Sequence, residues 1–415
     1  MKILFVTPYI PYPLNCGTHQ RVFNLLKAIC NEHEVILFSL THNDEEVTRG
    51  NELRSVLPLD QLYTRPIRLK PWRSLSERLF DPTPDTMHRW FDTEACHALQ
   101  ELIQSNAFEL VHCIDTCMTQ YFQVIDCQCP LVNDHSRVDS EFQLEQLPYL
   151  SGWKRRLSAI ENILKTRVFE RRLNTRFPLH VVCSTEDKNY LLRHLQATPP
   201  PLVLENGFDR HYFHPQQKPV NSHPTLVFTG TMDYPPNVDG MRWFMQKIWP
   251  LILAKLPNAK LLIVGTRPTA EVYSWQDGER VVVTGEVPDI RPYYAMADVY
   301  ICPLRIGGGT RLKLVEALAM ERPVVSTRVG AQGLALCDQQ HICYADNASQ
   351  FANSIFKTLE DLRFSLKIST QGAEFVRENY NWEHLARRLS RYYQENSNKI
   401  WSKAHEEETD SFYIY

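Results

Sequence analysis

Cys302-Pro303-Leu304-Arg305-Ile306-Gly307-Gly308-Gly309-Thr310-Arg311-Leu312-Lys313-Leu314-Val315-Glu316-Ala317-Leu318-Ala319-Met320 carries the end of an apolar run, Val299–Cys302, through three glycines into a helical pattern. Glycine is otherwise scarce: 15 of 415 residues, against a usual ~7%, and ten of the 15 lie between Gly230 and Gly333. Glycines let a backbone approach a ligand closely. The first turn of the following helix offers unpaired N–H groups and a positive dipole end. Arg311 and Lys313 add cationic charge there, which suits a phosphate or diphosphate. Glu316, about two turns on, can accept hydrogen bonds from sugar hydroxyls. Leu312, Val315, Leu318 and Ala319 form an apolar face for core packing. A glycine-rich surface turn beside an Arg and a Lys is the plain alternative. No G-x-x-x-x-G-K-[ST] or G-x-G-x-x-G occurs, which excludes a triphosphatase loop and a dinucleotide fingerprint.

Outward from this stretch, short apolar runs alternate with helical patterns. The runs are Ile3–Val6, Val35–Phe38, Leu110–Cys113, Leu131–Val132, His180–Cys183, Leu202–Leu204, Thr225–Phe228, Lys260–Val264, Val281–Thr284, Val299–Cys302 and Pro323–Ser326. Continuous apolar runs of this length suit parallel strands buried on both faces. Helical periodicity covers Arg21–Cys30, Glu94–Ser105, Gly240–Leu256 and Leu312–Met320. The alternation predicts an α/β protein with open parallel sheets, too long for one sheet. The polar, proline-punctuated stretch Gln216–Pro224 predicts a linker. The expected domains are 1–215 and 222–385. Residues 386–415 are expected to return as a terminal helix to the first domain and to end in a frayed acidic tail from Ser402.

Composition narrows the function classes. A net charge of −3 gives no basis for general nucleic-acid binding, and 43% hydrophobic residues exclude disorder. No apolar run reaches the roughly 18 residues of a membrane span. Pro8 follows the first apolar run too early for a secretory signal, so a cytoplasmic protein is expected. The 11 cysteines are an odd count, which argues against a disulfide framework. Cys113, Cys117, Cys127 and Cys129, near His112 and His135, match no standard zinc spacing; they read as buried apolar fillers, with a metal cluster as the alternative. Two segments are basic with interleaved aromatics: Arg65–Arg78, with Lys70, Trp72 and Arg73, and Trp153–Phe177, with eight Lys or Arg against Glu161 and Glu170. Two readings stand for them: a solvated helix face, or contact with an anionic membrane or a phosphorylated acceptor.

The quoted stretch resembles the donor-site segment of retaining glycosyltransferases of GT-B type, in glycosyltransferase family 4, often called group 1. Further segments agree in order. Pro11-Tyr12-Pro13-Leu14-Asn15-Cys16-Gly17-Thr18-His19-Gln20-Arg21 resembles the family's loop after the first strand. Asn133-Asp134-His135-Ser136-Arg137-Val138-Asp139-Ser140 resembles its central-histidine segment. Glu205-Asn206-Gly207-Phe208-Asp209 is similar to the element before the interdomain linker. Phe228-Thr229-Gly230-Thr231-Met232 resembles the first strand-loop of the donor domain, and Gly285-Glu286-Val287-Pro288-Asp289-Ile290 its base-binding segment. Tyr380-Asn381-Trp382 resembles the start of the terminal helix.

The resemblance implies two Rossmann-like domains facing across a cleft, with donor on the C-terminal domain and acceptor on the N-terminal one. It implies transfer of a sugar from a nucleotide-diphosphate-sugar, with retention and without a bound metal or other cofactor, to a glycan, lipid-linked or other acceptor. Exopolysaccharide or cell-envelope synthesis would be the setting, with the protein cytoplasmic or peripheral at the inner membrane face. Arg311 and Lys313 would neutralise the diphosphate, Glu316 would hold the ribose, and His135 would stand near the sugar; a hydrogen-bonded core histidine is the other reading of His135. Gly17, Gly230, Thr231, Val287, Gly308, Gly309, Thr310 and Leu312 complete the implied donor site. Two departures from the family pattern matter. Gly308 stands where a glutamate is usual, and Thr231 and Asn237 stand where Arg and Lys often follow the first donor-domain strand. The Tyr-x-Pro-Asn segment with GGGTRLK implies a subgroup in which the cationic pair has moved to Arg311 and Lys313. A catalytically silent sugar-nucleotide-binding scaffold and a sugar-nucleotide epimerase are the competing functions.

Overall fold

The computed structural model of the chain describes all residues except 15–16, 79, 148–149, 151, 218, 220–221, 308–310 and 412–415. It divides into two units, Met1–Leu204 with Leu385–Tyr415, and Glu205–His384.

The first unit is built on a seven-stranded sheet. Its strands are β1 (Lys2–Thr7), β2 (Glu34–Thr41), β3 (Gln61–Pro66), β4 (Leu110–Ile114), β5 (Leu131–His135), β6 (Leu179–Val182) and β7 (Leu202–Val203). Their order is β3-β2-β1-β4-β5-β6-β7, and every pairing is parallel. Ile3, Leu4, Phe5 and Val6 are wholly buried because helices cover both faces of a parallel sheet. The second unit has six strands: β8 (Thr225–Thr229), β9 (Lys260–Val264), β10 (Val281–Val283), β11 (Val299–Cys302), β12 (Val324–Ser326) and β13 (Cys343–Tyr344). Their order is β10-β9-β8-β11-β12-β13, again all parallel. In each sheet the winding direction reverses once, between β1 and β4 and between β8 and β11. Loops at such a switch point diverge and leave a crevice beyond the strand C-termini, where doubly wound sheets bind ligands.

Two expectations are corrected. Residues 205–215, read as the end of the first domain, pack in the second unit. The Phe208 amide donates to the Tyr380 carbonyl at 2.9 Å, and the Phe213 ring meets Tyr294 edge-on at 6.1 Å. Apolar anchoring of Phe208 and Phe213 in that core decides the boundary, ahead of the polar linker, whose Lys218, Val220 and Asn221 lie outside the described residues. The terminal helix begins at Trp382, and from Leu385 it packs in the first unit, where Tyr393 Oη bonds His112 Nδ1 at 2.7 Å. That helix continues through Ser402 to Ser411, where fraying was expected; residues 412–415 lie outside the description.

Candidate functional site: a helix N-terminus at the second sheet's switch point

β11 ends at Cys302, and the chain reaches Gly307 in a left-handed conformation, φ +98°. Gly308, Gly309 and Thr310 lie outside the described residues. Arg311 then precedes the helix Leu312–Ala319, which no side chain caps, so its first-turn N–H groups are not consumed by a cap. Leu314, Val315 and Leu318 are buried and hold the helix on the sheet. Leu312 opens the helix half-buried.

The polar side of the helix carries the chemistry. The Arg311 guanidinium is buried, donates to the Gly307 carbonyl and so clamps the glycine loop; its Nε is buried without a partner. Lys313 Nζ donates to Asn237 Oδ1 at 2.8 Å and sits 4.3 Å from the centroid of the Phe228 ring. Desolvation, helped by the positive charge of Arg311, lowers the Lys313 pKa to about 8. Asn237 Nδ2 donates in turn to the Thr231 carbonyl at 2.8 Å. The ammonium is therefore delivered to the end of β8 from the β11 side of the switch point. Gly230 makes room for it: a Cβ there would lie 2.6 Å from Lys313 Nζ. Glu316 is buried, and its Oε2 accepts from Tyr294 Oη at 2.7 Å. Tyr294 and Tyr300 both share hydrogen bonds with Thr229 Oγ1, at 3.0 and 2.8 Å. Burial raises the Glu316 pKa, while Tyr294 and Lys313 oppose the rise. Oε1 has no partner among the described residues and is free to accept from a ligand. Val287 is half-buried against the core, two residues after Gly285 turns at φ +69°.

Residues 223–361 match the family described as Glycosyl transferases group 1. This match lies within the second unit. Over 176 residues the chain is 30% identical to the phosphatidyl-myo-inositol mannosyltransferase of Mycobacterium leprae, covering 41% of this chain and 46% of that protein. The chain spans less than half the length of the first curated relatives it matches. Among solved structures it resembles sucrose-phosphate synthase from Thermosynechococcus elongatus, with TM-score 0.66, 18% identity, and 95% and 99% of the two chains covered. It also resembles Anabaena HepE, solved in complex with UDP and glucose, with TM-score 0.65, 14% identity, and 95% and 100% covered. The two parallel-sheet, Rossmann-like domains have the GT-B fold.

The second unit thus brings together Gly230, Thr231, Arg311, Lys313 and Glu316, with Val287 and Leu312 in the same unit. Gly17 and His135 lie in the first unit. Gly17 opens the helix Gly17–Ile29 after β1; Asn15 and Cys16 before it are outside the description. His135 ends β5 and is 2% exposed, with its Nε2 3.0 Å from His180 Nδ1 and its Nδ1 unpartnered. Burial lowers its pKa to about 4, so the imidazole is neutral near pH 7. The neighbouring Asp134 is a structural anchor: Arg21 Nη2 grips it at 2.9 Å and His112 Nε2 at 3.3 Å.

Two features escaped the sequence reading. Tyr294 orients Glu316 from 22 residues away, with no local signal. Asp115, after β4, sits at φ +64°, ψ 148°, a conformation rare for a non-glycine residue, and its Oδ1 accepts the Ser136 N–H at 3.1 Å. Burial raises its pKa to about 6. The Cys127 and Cys129 sulfurs are 3.2 Å apart, and among the described residues no three His, Cys, Asp or Glu side chains gather to hold a metal ion.

Proposed function

We propose that the chain transfers a hexosyl group from a nucleotide-diphosphate-sugar to a glycan, lipid-linked or other acceptor, with retention of configuration, in exopolysaccharide or cell-envelope glycan synthesis. The observation that carries this reading is the convergence of Arg311, Lys313 and Glu316 at one helix N-terminus on the second sheet's switch point. The diphosphate lies against the first-turn N–H groups of the helix and the loop Gly308–Thr310, with Arg311 and Lys313 beside it. As the bond to the anomeric carbon breaks, the electron pair stays on the diphosphate, and preorganised cations stabilise the charge that develops. No metal is needed for that role. Glu316 Oε1 accepts from the ribose hydroxyls while Tyr294 fixes the carboxylate. Val287 offers its backbone to the base. The first unit takes the acceptor, and Gly17 and His135, a neutral imidazole, are its candidate contributors. The mannosyltransferase name of the M. leprae relative and the UDP in HepE support the reaction class. No helix among the described residues is long and apolar enough to cross a membrane. We propose that Trp153–Phe177 contacts an anionic membrane and keeps the protein peripheral at its cytoplasmic face.

A silent sugar-nucleotide scaffold is the second reading, favoured by Gly308 in place of the family's glutamate. The deciding experiment is thermal stabilisation of the purified protein by a panel of nucleoside diphosphates and their sugars, since a ligand of the folded state raises Tm. A selective shift with one nucleotide-sugar, lost in Arg311→Ala, is expected, followed by slow release of the nucleoside diphosphate on incubation. A shift without nucleotide release supports the scaffold. An identical shift in Arg311→Ala removes the site assignment.

A further inference from the structure

The two basic, aromatic segments meet in space. The helix Trp153–Leu173 buries Ile163, Thr166, Glu170 and Leu173 on one face. On the opposite side Trp153, Leu157, Ile160, Leu164 and Val168 are each between 40% and 69% exposed. At 100° per residue these five fall within about 80° of arc, a continuous apolar stripe left in solvent. Arg78 ties the neighbouring segment to this helix through Ser158 and Glu161, and Lys165 Nζ donates to the Asp81 carbonyl at 2.7 Å. Phe80, between those anchors, is 91% exposed.

The stripe ends at a cavity of about 540 Å³, because Val168 lines both. Lys70, His88 and Arg172 line the cavity with Phe91 and Gln120, and none of the lining residues is acidic. Lys70 and Arg172 make no ion pair among the described residues; the Lys70 ammonium lies 5.6 Å from the Phe91 centroid. The nearest carboxylates, Asp81 and Asp85, are both engaged by Arg73. Burial and the positive charges of Arg73 and Lys70 lower the His88 pKa, so His88 is a neutral imidazole near pH 7. Two cations without an ion pair among the described residues, beside an imidazole, in a concave site call for an anion, and an aliphatic stripe running into that site calls for a hydrocarbon.

We propose that the first unit binds an anionic phospholipid of a membrane surface: the lipid phosphate enters the Lys70–His88–Arg172 cavity, and the apolar stripe Trp153–Val168 lies against the acyl boundary. This deepens the membrane contact proposed above and rests on it. Charge decides against other occupants. Arg156, Arg167 and Arg171 accompany the stripe, so a second copy of the chain would set like charges against each other. Nucleic acid would satisfy the cations and leave five exposed apolar side chains unused.

The test is flotation of the full chain with vesicles of phosphatidylcholine, with and without phosphatidylglycerol. Wild type is expected to float only with the anionic vesicles. Lys70→Ala/Arg172→Ala should lose partitioning on the order of 25-fold, about fivefold for each cation at an anionic surface. Leu157→Ser/Leu164→Ser should lose it as well, and circular dichroism checks that both variants keep the native helix content. Absence of flotation by wild type overturns this inference and the membrane contact together. Unchanged flotation of the cavity variant overturns the lipid-phosphate site and leaves the membrane contact standing. Release of wild type by millimolar inorganic phosphate would assign the cavity to a free anion and overturn the lipid source. Thermal stabilisation by the nucleotide-sugar, read in parallel, reports on the transferase site independently.

Discussion

Lys313 is the side chain with the least compensated charge in the candidate donor site. Its neighbours are an amide oxygen and an aromatic face, and burial brings its pKa to about 8. Such a lysine is a poor contributor to the stability of the empty protein and a strong ligand for an arriving diphosphate, which restores the charge balance that burial removed. The ammonium fraction of the free protein falls as pH rises through about 8, so nucleoside diphosphate affinity should weaken across that interval. Lys313→Arg, which stays protonated, should remove the pH dependence even if its overall affinity is lower. Titration calorimetry between about pH 7 and pH 9 reads this directly; a wild-type affinity that is flat with pH would exclude Lys313 from the phosphate contact. Glu316→Ala is argued in the same way. It removes the acceptor that Tyr294 orients and leaves that hydroxyl with Thr229 as its side-chain partner. Affinity for the nucleotide should fall by about 10-fold or more, the range of hydrogen bonds to a charged group. Unchanged binding would remove Glu316 from the ribose.

At the scale of elements, a glycine pair lets the ends of β8 and β9, beside the switch point, approach closely. Gly265 follows β9 at φ +144°, and a Cβ there would lie 1.8 Å from the Gly230 carbonyl oxygen, which is backbone and cannot rotate away. Gly265→Ala is therefore expected to separate the ends of β8 and β9. It should cost on the order of 2–4 kcal/mol in denaturant unfolding and disturb Gly230 beside Lys313. Full stability of the variant would show that the two loops do not touch. The glycine clustering that marked this region in the sequence has its cause in such contacts. All eleven apolar runs are strands, because strands of a parallel sheet covered on both faces read as near-continuous apolar runs. β3 and β13 were illegible for the complementary reason. β3 is an edge strand, Gln61-Leu62-Tyr63-Thr64-Arg65-Pro66, with only Leu62 buried, and β13 is two residues long. The helix expected over Gly240–Leu256 runs without interruption from Pro235 to Lys255 and widens into a π turn at Phe244–Ile248, just before Pro250, which has no N–H to continue the ladder. At the site, Arg311, Lys313 and Glu316 were legible because they share one local segment. Asn237, 76 residues from Lys313, and His180, 45 from His135, acquire their roles only when the sheet assembles.

For the molecule as a whole, the first unit is tuned by buried groups that hold the wrong protonation state for water. Burial raises the pKa of Asp115 to about 6, of Glu141 to about 7 and of Glu170 to about 8. It lowers His135 to about 4, and burial together with His135 lowers His180 to about 3. The two sets act in opposite directions. Between about pH 4 and 6.5 the unfolded histidines bind protons that the folded ones refuse, so their contribution to stability rises with pH. The carboxylates hold protons in the folded state that the unfolded chain has released, so their contribution falls as pH rises from each unfolded value to each folded one. Above about pH 6.5 the histidines are neutral in both states, and Glu141 and Glu170 shape the curve, opposed by Cys127, whose thiol pKa the hydrogen bond with Cys129 lowers to about 7. Glu170 governs its upper end. Its Oε1 accepts the Ser140 N–H at 3.3 Å, its Oε2 is buried without a partner, and the Asp139 charge pushes its pKa further up. The stability of the first unit should therefore decline between about pH 6.5 and 8. Glu170→Gln keeps an acceptor for the Ser140 amide and cannot ionise, so it should equal or exceed wild type in stability at pH 8, with the gap growing as pH rises. Hydrogen-exchange protection of the β5 and β6 amides, compared between the two proteins at each pH, isolates the first unit from the second. Parallel protection in both proteins across the whole interval would mean that water reaches the Glu170 carboxylate and that it ionises at its ordinary pKa.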